Sequence, residues 1–135
     1  MRARLSAGAV AVLVLSLSAC ERLAEMGLYP KEQETSSPKG NLGALRSALS
    51  IYYGDLEGQY PEDITALTVG GKYLTTIPAV SPMGNHPASS MSRLGTQLTD
   101  EGGWLYNNVP KDANVGNIMI NCTHTDVKGS VWASY

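Results

Sequence analysis

The chain opens on an uncharged apolar run, Leu5 to Ser18, carrying Val10, Val12, Leu13, Val14, Leu15 and Leu17. That run is shorter than the roughly 20 apolar residues that span a bilayer. Residues 21–39 are polar and charged, with Pro30, Pro38 and the segment Glu32-Gln33-Glu34-Thr35-Ser36-Ser37. They read as a flexible tether, with room for a short helix around Arg22 to Met26. The pattern then becomes helical over 41–53. Leu42, Leu45, Leu49 and Tyr52 recur at steps of three or four, and Tyr53 widens the stripe. Arg46, Ser47 and Ser50 fall on the other side. Ser37-Pro38 offers a cap and a first-turn proline, and Gly54 a stop.

Beyond the helix the periodicity shortens. Residues 55–61 form a turn, and Asp63 to Leu67 one or two helical turns broken by Gly70-Gly71. Lys72 to Pro78 is extended. Residues 79–102, rich in Ser, Pro, Gly and Asn, read as one long loop, functional or mobile. Trp104 to Asn108 is a short strand. Asn117 to Thr123 alternates, with Ile118, Ile120 and Cys122 on one face and Met119 and Asn121 on the other. After a turn at 125–129, Ser130 to Tyr135 reads as the last strand, with Val131, Ala133 and Tyr135 opposite Trp132. Short connections predict an antiparallel meander. The expected fold is α+β: an N-terminal amphipathic helix packed on a C-terminal three-stranded antiparallel meander, with a long irregular loop.

The flanks of the first apolar run give it a meaning. Arg2 and Arg4 precede it, and Leu17-Ser18-Ala19-Cys20 follows. A basic start, a short apolar segment and small residues before a cysteine resemble the bacterial lipoprotein signal. The resemblance implies cleavage between Ala19 and Cys20 and lipid attachment on the Cys20 sulfur. Acyl chains on Cys20 then hold the protein to a membrane, since each buried methylene contributes about 0.8 kcal/mol. Glu21, rather than Asp, follows the cysteine, which resembles the outer-membrane class. The expected location is the bacterial cell envelope, on the outer membrane, with the domain facing the periplasm or cell surface. The alternatives are an ordinary signal peptide with a chance cysteine, or a buried helix.

Removing residues 1–19 from the 135 leaves 116, enough for one domain, which the pattern places at 40–135. Arg2 and Arg4 leave with the signal, so eight basic residues face twelve acidic ones, a formal charge of −4. No basic patch is present, which argues against a nucleic-acid partner. With Cys20 lipidated, Cys122 is the only other cysteine and has no intramolecular disulfide partner. It reads as a small buried hydrophobe, the alternative being a reactive thiol.

Candidate chemistry is sparse. There is no Gly-x-Ser-x-Gly elbow, phosphate loop or His-Glu-x-x-His. The two histidines are His86, in the loop, and His124, at a strand end. Cys122-x-His124 puts two metal-ligand side chains on one face of a strand, but no further ligand lies nearby in sequence. The expectation is therefore no catalytic residue, no cofactor, no metal site and no small-molecule substrate. Asn121-Cys122-Thr123 matches a glycosylation sequon, which has no role in the context the N-terminus implies.

The order of elements resembles the globular head of type IV pilins and of type II secretion major pseudopilins. Gly40 to Tyr53 is similar to the C-terminal half of the pilin spine helix. Gly58-Gln59-Tyr60-Pro61 resembles the Gly-x-Tyr-Pro turn that follows it. Tyr73-Leu74 with Ile77-Pro78, then Gly103-Trp104-Leu105-Tyr106, resemble later family segments. The resemblance covers residues 40–135 and implies a pilin-like fold and a non-enzymatic role. It also implies partners among pilins or secretion-system components. Where pilins carry a hydrophobic half-helix, this chain has the lipoprotein signal and polar tether. The family's calcium loop carries Asp-Pro-Trp-Gly-Asn, but the similar run here is Ser81-Pro82-Met83-Gly84-Asn85. No Asp or Glu lies between residues 64 and 99, though hard cations want carboxylates. A site built from Asp100, Asp112 or Asp126 is the remaining calcium option. The alternative function is an independent ligand- or surface-binding lipoprotein that reuses the head fold.

Overall fold

The computed structural model describes residues 37–82 and 85–135. The signal, Cys20, most of the tether and the Arg22–Met26 segment lie outside the described residues. The first described element is helix α1, Pro38–Asp55. It starts inside the stretch assigned to the tether because the Ser37 side chain accepts from Gly40 N at 3.0 Å and Pro38 occupies the first turn. It runs one residue past Gly54 and closes through Leu56 N to Tyr52 O at 3.0 Å. Leu42, Leu45, Ala48 and Leu49 are buried as the periodicity requires. Asn41 is buried too, its amide donating to Ala79 O at 2.7 Å, which holds the start of the long loop against the helix. Tyr52 is half-buried and packs on Tyr73, whereas Tyr53 is exposed and packs on Tyr60.

A 3-10 helix follows at Ile64–Gly71, capped by Asp63 accepting from Thr65 N and kinked at Val69 and Gly70. Three strands of three residues each form one sheet: β1 (Ser92–Leu94), β2 (Trp104–Tyr106) and β3 (Ile118–Ile120), in the order β1-β2-β3. β2 and β3 are antiparallel, with Trp104 opposite Ile120 and Tyr106 opposite Ile118. β1 lies parallel to β2, with Ser92 opposite Trp104.

The fold is thus α+β, but the sheet is mixed and not an antiparallel meander. Two segments account for the difference. The 79–102 stretch is not one irregular loop. Val80 and Ser89 pair as an antiparallel bridge, and residues 92–94 form the edge strand. Trp104 N donates to Met91 O and Gly95 N to Tyr106 O, so β1 is recruited by the backbone of β2. Its own side chains, half-buried then exposed, carry no alternation. The second segment, Ser130–Tyr135, is not a strand. It makes one bridge, Thr125 to Val131, then turns into a 3-10 helix at Trp132–Ser134. In a strand Trp132 and Tyr135 would face opposite sides. In a 3-10 turn, positions three apart eclipse, and the two rings lie together with centroids 5.7 Å apart.

One core joins the elements: Leu45 and Leu49 of α1, Ile64 and Leu67, Trp104 and Tyr106, Ile118 and Ile120, with Cys122 and Trp132. Arg46, on the exposed side of α1, donates to Ile118 O and Tyr135 O, tying the helix to β3 and to the last residue.

Candidate metal centre

The fold brings together four side chains that the sequence holds far apart. His86, Asp100, Cys122 and His124 each offer one ligand atom, and these atoms lie within 4.8 Å of one another. It is the sole such group of three or more His, Cys, Asp or Glu side chains among the described residues.

Each is held by its backbone. The strand β3 ends where Cys122 N turns back to Ile120 O at 2.9 Å. The two-residue step from Cys122 to His124 then points both side chains the same way. Both carbonyls are pinned by the C-terminal segment, Cys122 O by Ala133 N and His124 O by Trp132 N. Asp100 sits in the left-handed region with φ 61°, unusual for a non-glycine residue. Asn121, 1% exposed, holds that conformation. Its Oδ1 accepts from Thr99 N and Asp100 N, and its Nδ2 donates to Thr99 Oγ1. This explains why Asn121, on the expected outer face of its strand, is buried.

His86 is positioned by the small bridged loop, its carbonyl accepting from Ser81 Oγ. Its ring lies over Gly102, where φ is +79° and an added Cβ would stand 2.8 Å from His86 Cβ. Glycine at 102 is therefore required twice, for the backbone conformation and for the room His86 occupies.

Asp100 Oδ1 lies 3.2 Å from His86 Nε2 and 3.4 Å from His124 Nδ1. Cys122 Sγ lies 3.5 Å from the same His124 Nδ1. The Thr123 N–H, donating to Asp100 Oδ1 at 2.7 Å, is the largest influence holding that carboxyl down at about 2. The two imidazoles add to it and partial burial opposes it. Burial pushes the Cys122 thiol up. Cys122 is fully buried, as a small hydrophobe should be, but its sulfur also faces a ring nitrogen.

The arrangement is not a nucleophilic relay. A Cys-His-Asp relay uses the two imidazole nitrogens separately, one for the thiol and one for the carboxylate. Here sulfur and carboxylate address the same nitrogen of His124, and no substrate reaches a sulfur with no exposed surface. One nitrogen bears at most one proton, so it cannot serve both neighbours as a donor.

The expectation of no metal rested on Cys122 and His124 lacking partners in sequence. The fold supplies His86 and Asp100 from elements 38 and 24 residues upstream of His124. The three carboxylates of the remaining calcium option are engaged separately. Asp112 binds Asn107 and Asn114 N, and Asp126 binds Lys39, Tyr135, Lys128 N and Ser130 N. Among the described residues these carboxylates do not gather with Asp100. A separate open groove of about 330 Å3 beside α1 is lined by Arg46, Leu49, Ser50, Tyr60 and Ile118, and no carboxylate, histidine or cysteine lines it. Cys20 and Ala19 lie outside the described residues. Comparison of the chain with protein-family models, with characterised proteins and with solved structures gave no match.

Proposed function

We propose that this chain is a lipid-anchored, pilin-head-like protein of the bacterial cell envelope. Its role is non-enzymatic, structural or accessory to a type IV pilus or type II secretion apparatus. The observation that carries the reading is how the Gly58-Gln59-Tyr60-Pro61 turn is used. It follows α1 directly, and the buried Tyr106 hydroxyl of β2 donates to Pro61 O at 2.7 Å. The segments that resemble a pilin head are therefore joined to one another, with the helix stripe covering β2 and β3.

Attachment falls to Cys20, and no described helix is long and apolar enough to cross a membrane. A pilin enters its fibre through an apolar half-helix. A head on an acylated cysteine and a polar tether meets the apparatus from the side instead. The edge strand β1, with Met91 and Leu94 exposed beside it, offers a surface for strand addition by such a partner.

Two experiments test this. Mass spectrometry of the mature N-terminus should find a di- or triacylated Cys20; a chain starting elsewhere refutes the anchor. Crosslinking and pull-down from membranes should recover pilin or secretion components. A deletion strain with normal pili and secretion, together with an empty pull-down, refutes the partner.

A further inference from the structure

We infer that His86, Asp100, Cys122 and His124 form a zinc site that clips the 79–102 segment to the end of the chain. The donor set is the first reason. One thiolate, two imidazoles and one carboxylate suit zinc, and one thiolate with one carboxylate carries two negative charges against the two positive charges of the ion.

Geometry is the second reason. Zinc bonds of about 2.0–2.1 Å to N or O and about 2.3 Å to S give a tetrahedron with edges of roughly 3.3 Å, or about 3.6 Å where one end is sulfur. Three of the six separations here are 3.2, 3.4 and 3.5 Å, the last involving sulfur. No other pair exceeds 4.8 Å, so the remaining edges need to close by at most about 1.5 Å. A metal also resolves the conflict at His124 Nδ1, which faces sulfur and carboxylate at once. As a ligand that nitrogen gives its lone pair to the ion that both neighbours bind.

The surroundings are built as outer shells of metal sites are. The coordinating carboxylate accepts Thr123 N, its backbone is fixed by Asn121, and Gly102 makes room for the His86 ring. All four positions are taken by protein, so the site is closed and structural and leaves no place for a reacting water. It joins three stretches that short strands hold weakly: the bridged loop at 80–89, the turn before β2 and the segment after β3.

The test uses the full chain, purified from membranes in detergent without a histidine tag. Elemental analysis should find one equivalent of zinc, and a chelator should lower the thermal midpoint by at least about 5 °C. Cobalt exchanged into the protein should show tetrahedral visible bands and a sulfur-to-cobalt charge-transfer band. Cys122→Ser should abolish that charge-transfer band. His86→Ala should weaken zinc binding by more than about 100-fold, and Gly102→Ala by about 10- to 100-fold, the range for outer-shell changes. Should Cys122→Ser fail to fold, the wild-type stoichiometry and chelator response test the site by themselves. Folded wild-type protein that takes up less than about a tenth of an equivalent overturns the site. So does a cobalt spectrum unchanged in Cys122→Ser.

Discussion

Replacing Tyr106 by Phe removes one oxygen from the centre of the fold. The Tyr106 ring is fully buried in the core that α1 shares with the sheet, and its hydroxyl donates to Pro61 O at 2.7 Å. Pro61 is itself buried, so the variant strands a carbonyl that water reaches poorly. Leaving a buried acceptor unpaired costs about 1–3 kcal/mol. With a urea dependence of about 2 kcal/mol per M for a domain of this size, the midpoint should fall by roughly 0.5–1.5 M.

A second signature separates this mechanism from a packing defect. Burial holds the Tyr106 hydroxyl well above its ordinary titration range, with Tyr60, Tyr52 and Asp63 adding to the shift. A raised folded-state value means the contribution is whole below about pH 10, where the unfolded tyrosine is neutral. It is lost as pH rises above that, because only the unfolded chain ionises freely. Phe has no such proton. The gap between wild type and Tyr106→Phe should therefore be constant from pH 7 to 9 and shrink above about pH 10. Paired urea titrations at pH 7, 9 and 11 measure both effects. A midpoint unchanged at pH 7, or a gap that persists at pH 11, refutes the account.

Three further outcomes are expected. Ser37→Ala removes the acceptor for Gly40 N and should cost about 0.5–2 kcal/mol, read as a lower thermal midpoint followed at the helical circular-dichroism band. Ile120→Ala opens the fully buried centre between β3 and α1 and should cost about 2–5 kcal/mol, visible as a fall in soluble yield and urea midpoint. Asp126 is held well below the ordinary carboxylate range, first by the Tyr135 hydroxyl, then by Lys39 and the N–H groups of Ser130 and Lys128. A depressed folded value means its contribution is present above about pH 4 and lost as pH falls below that. Asp126→Asn should therefore be less stable than wild type at pH 7, with the gap narrowing between pH 4 and pH 2.

How much the sequence shows depends on whether an element is held by its own side chains. Helix α1 is, and both its buried stripe and its Ser37 cap follow from local pattern. So do β2 and β3, whose Trp104, Tyr106, Ile118 and Ile120 all enter the core. β1 is not legible, because Ser92, Arg93 and Leu94 pair through backbone groups alone. The last segment misleads because Val131, Ala133 and Tyr135 alternate, whereas the signal that decides is the three-residue step from Trp132 to Tyr135. The metal-ligand cluster left one trace, Cys122-x-His124. Its other members come from the 79–102 stretch through a turn set by Gly102 and Asn121, which no periodicity encodes.

With strands of three residues, regular backbone pairing does little to fix the end of the molecule that holds 79–102 and 121–135. Side-chain acceptors take over. Asn121 receives two backbone N–H groups, Asp100 one, and Asp126 two. Two of these three acceptors are carboxylates held below their ordinary range, Asp100 at about 2. The contribution of each therefore shrinks as pH falls from about 4 down through its lowered folded value, because the opened chain takes up the proton first. Asp126 also reaches Lys39 in the first turn of α1, but the helix beyond that turn is held by Leu42, Leu45 and Leu49, none of which titrates. Acid should then open the molecule unevenly. Hydrogen exchange at pH 3 and pH 5, corrected for intrinsic rates, should show protection lost first at Thr123, Lys128 and Ser130 while residues 42–52 stay protected. Simultaneous loss at the helix and at these turns would place the acid-sensitive step in the core instead, and the carboxylate acceptors would not be what secures this end of the fold.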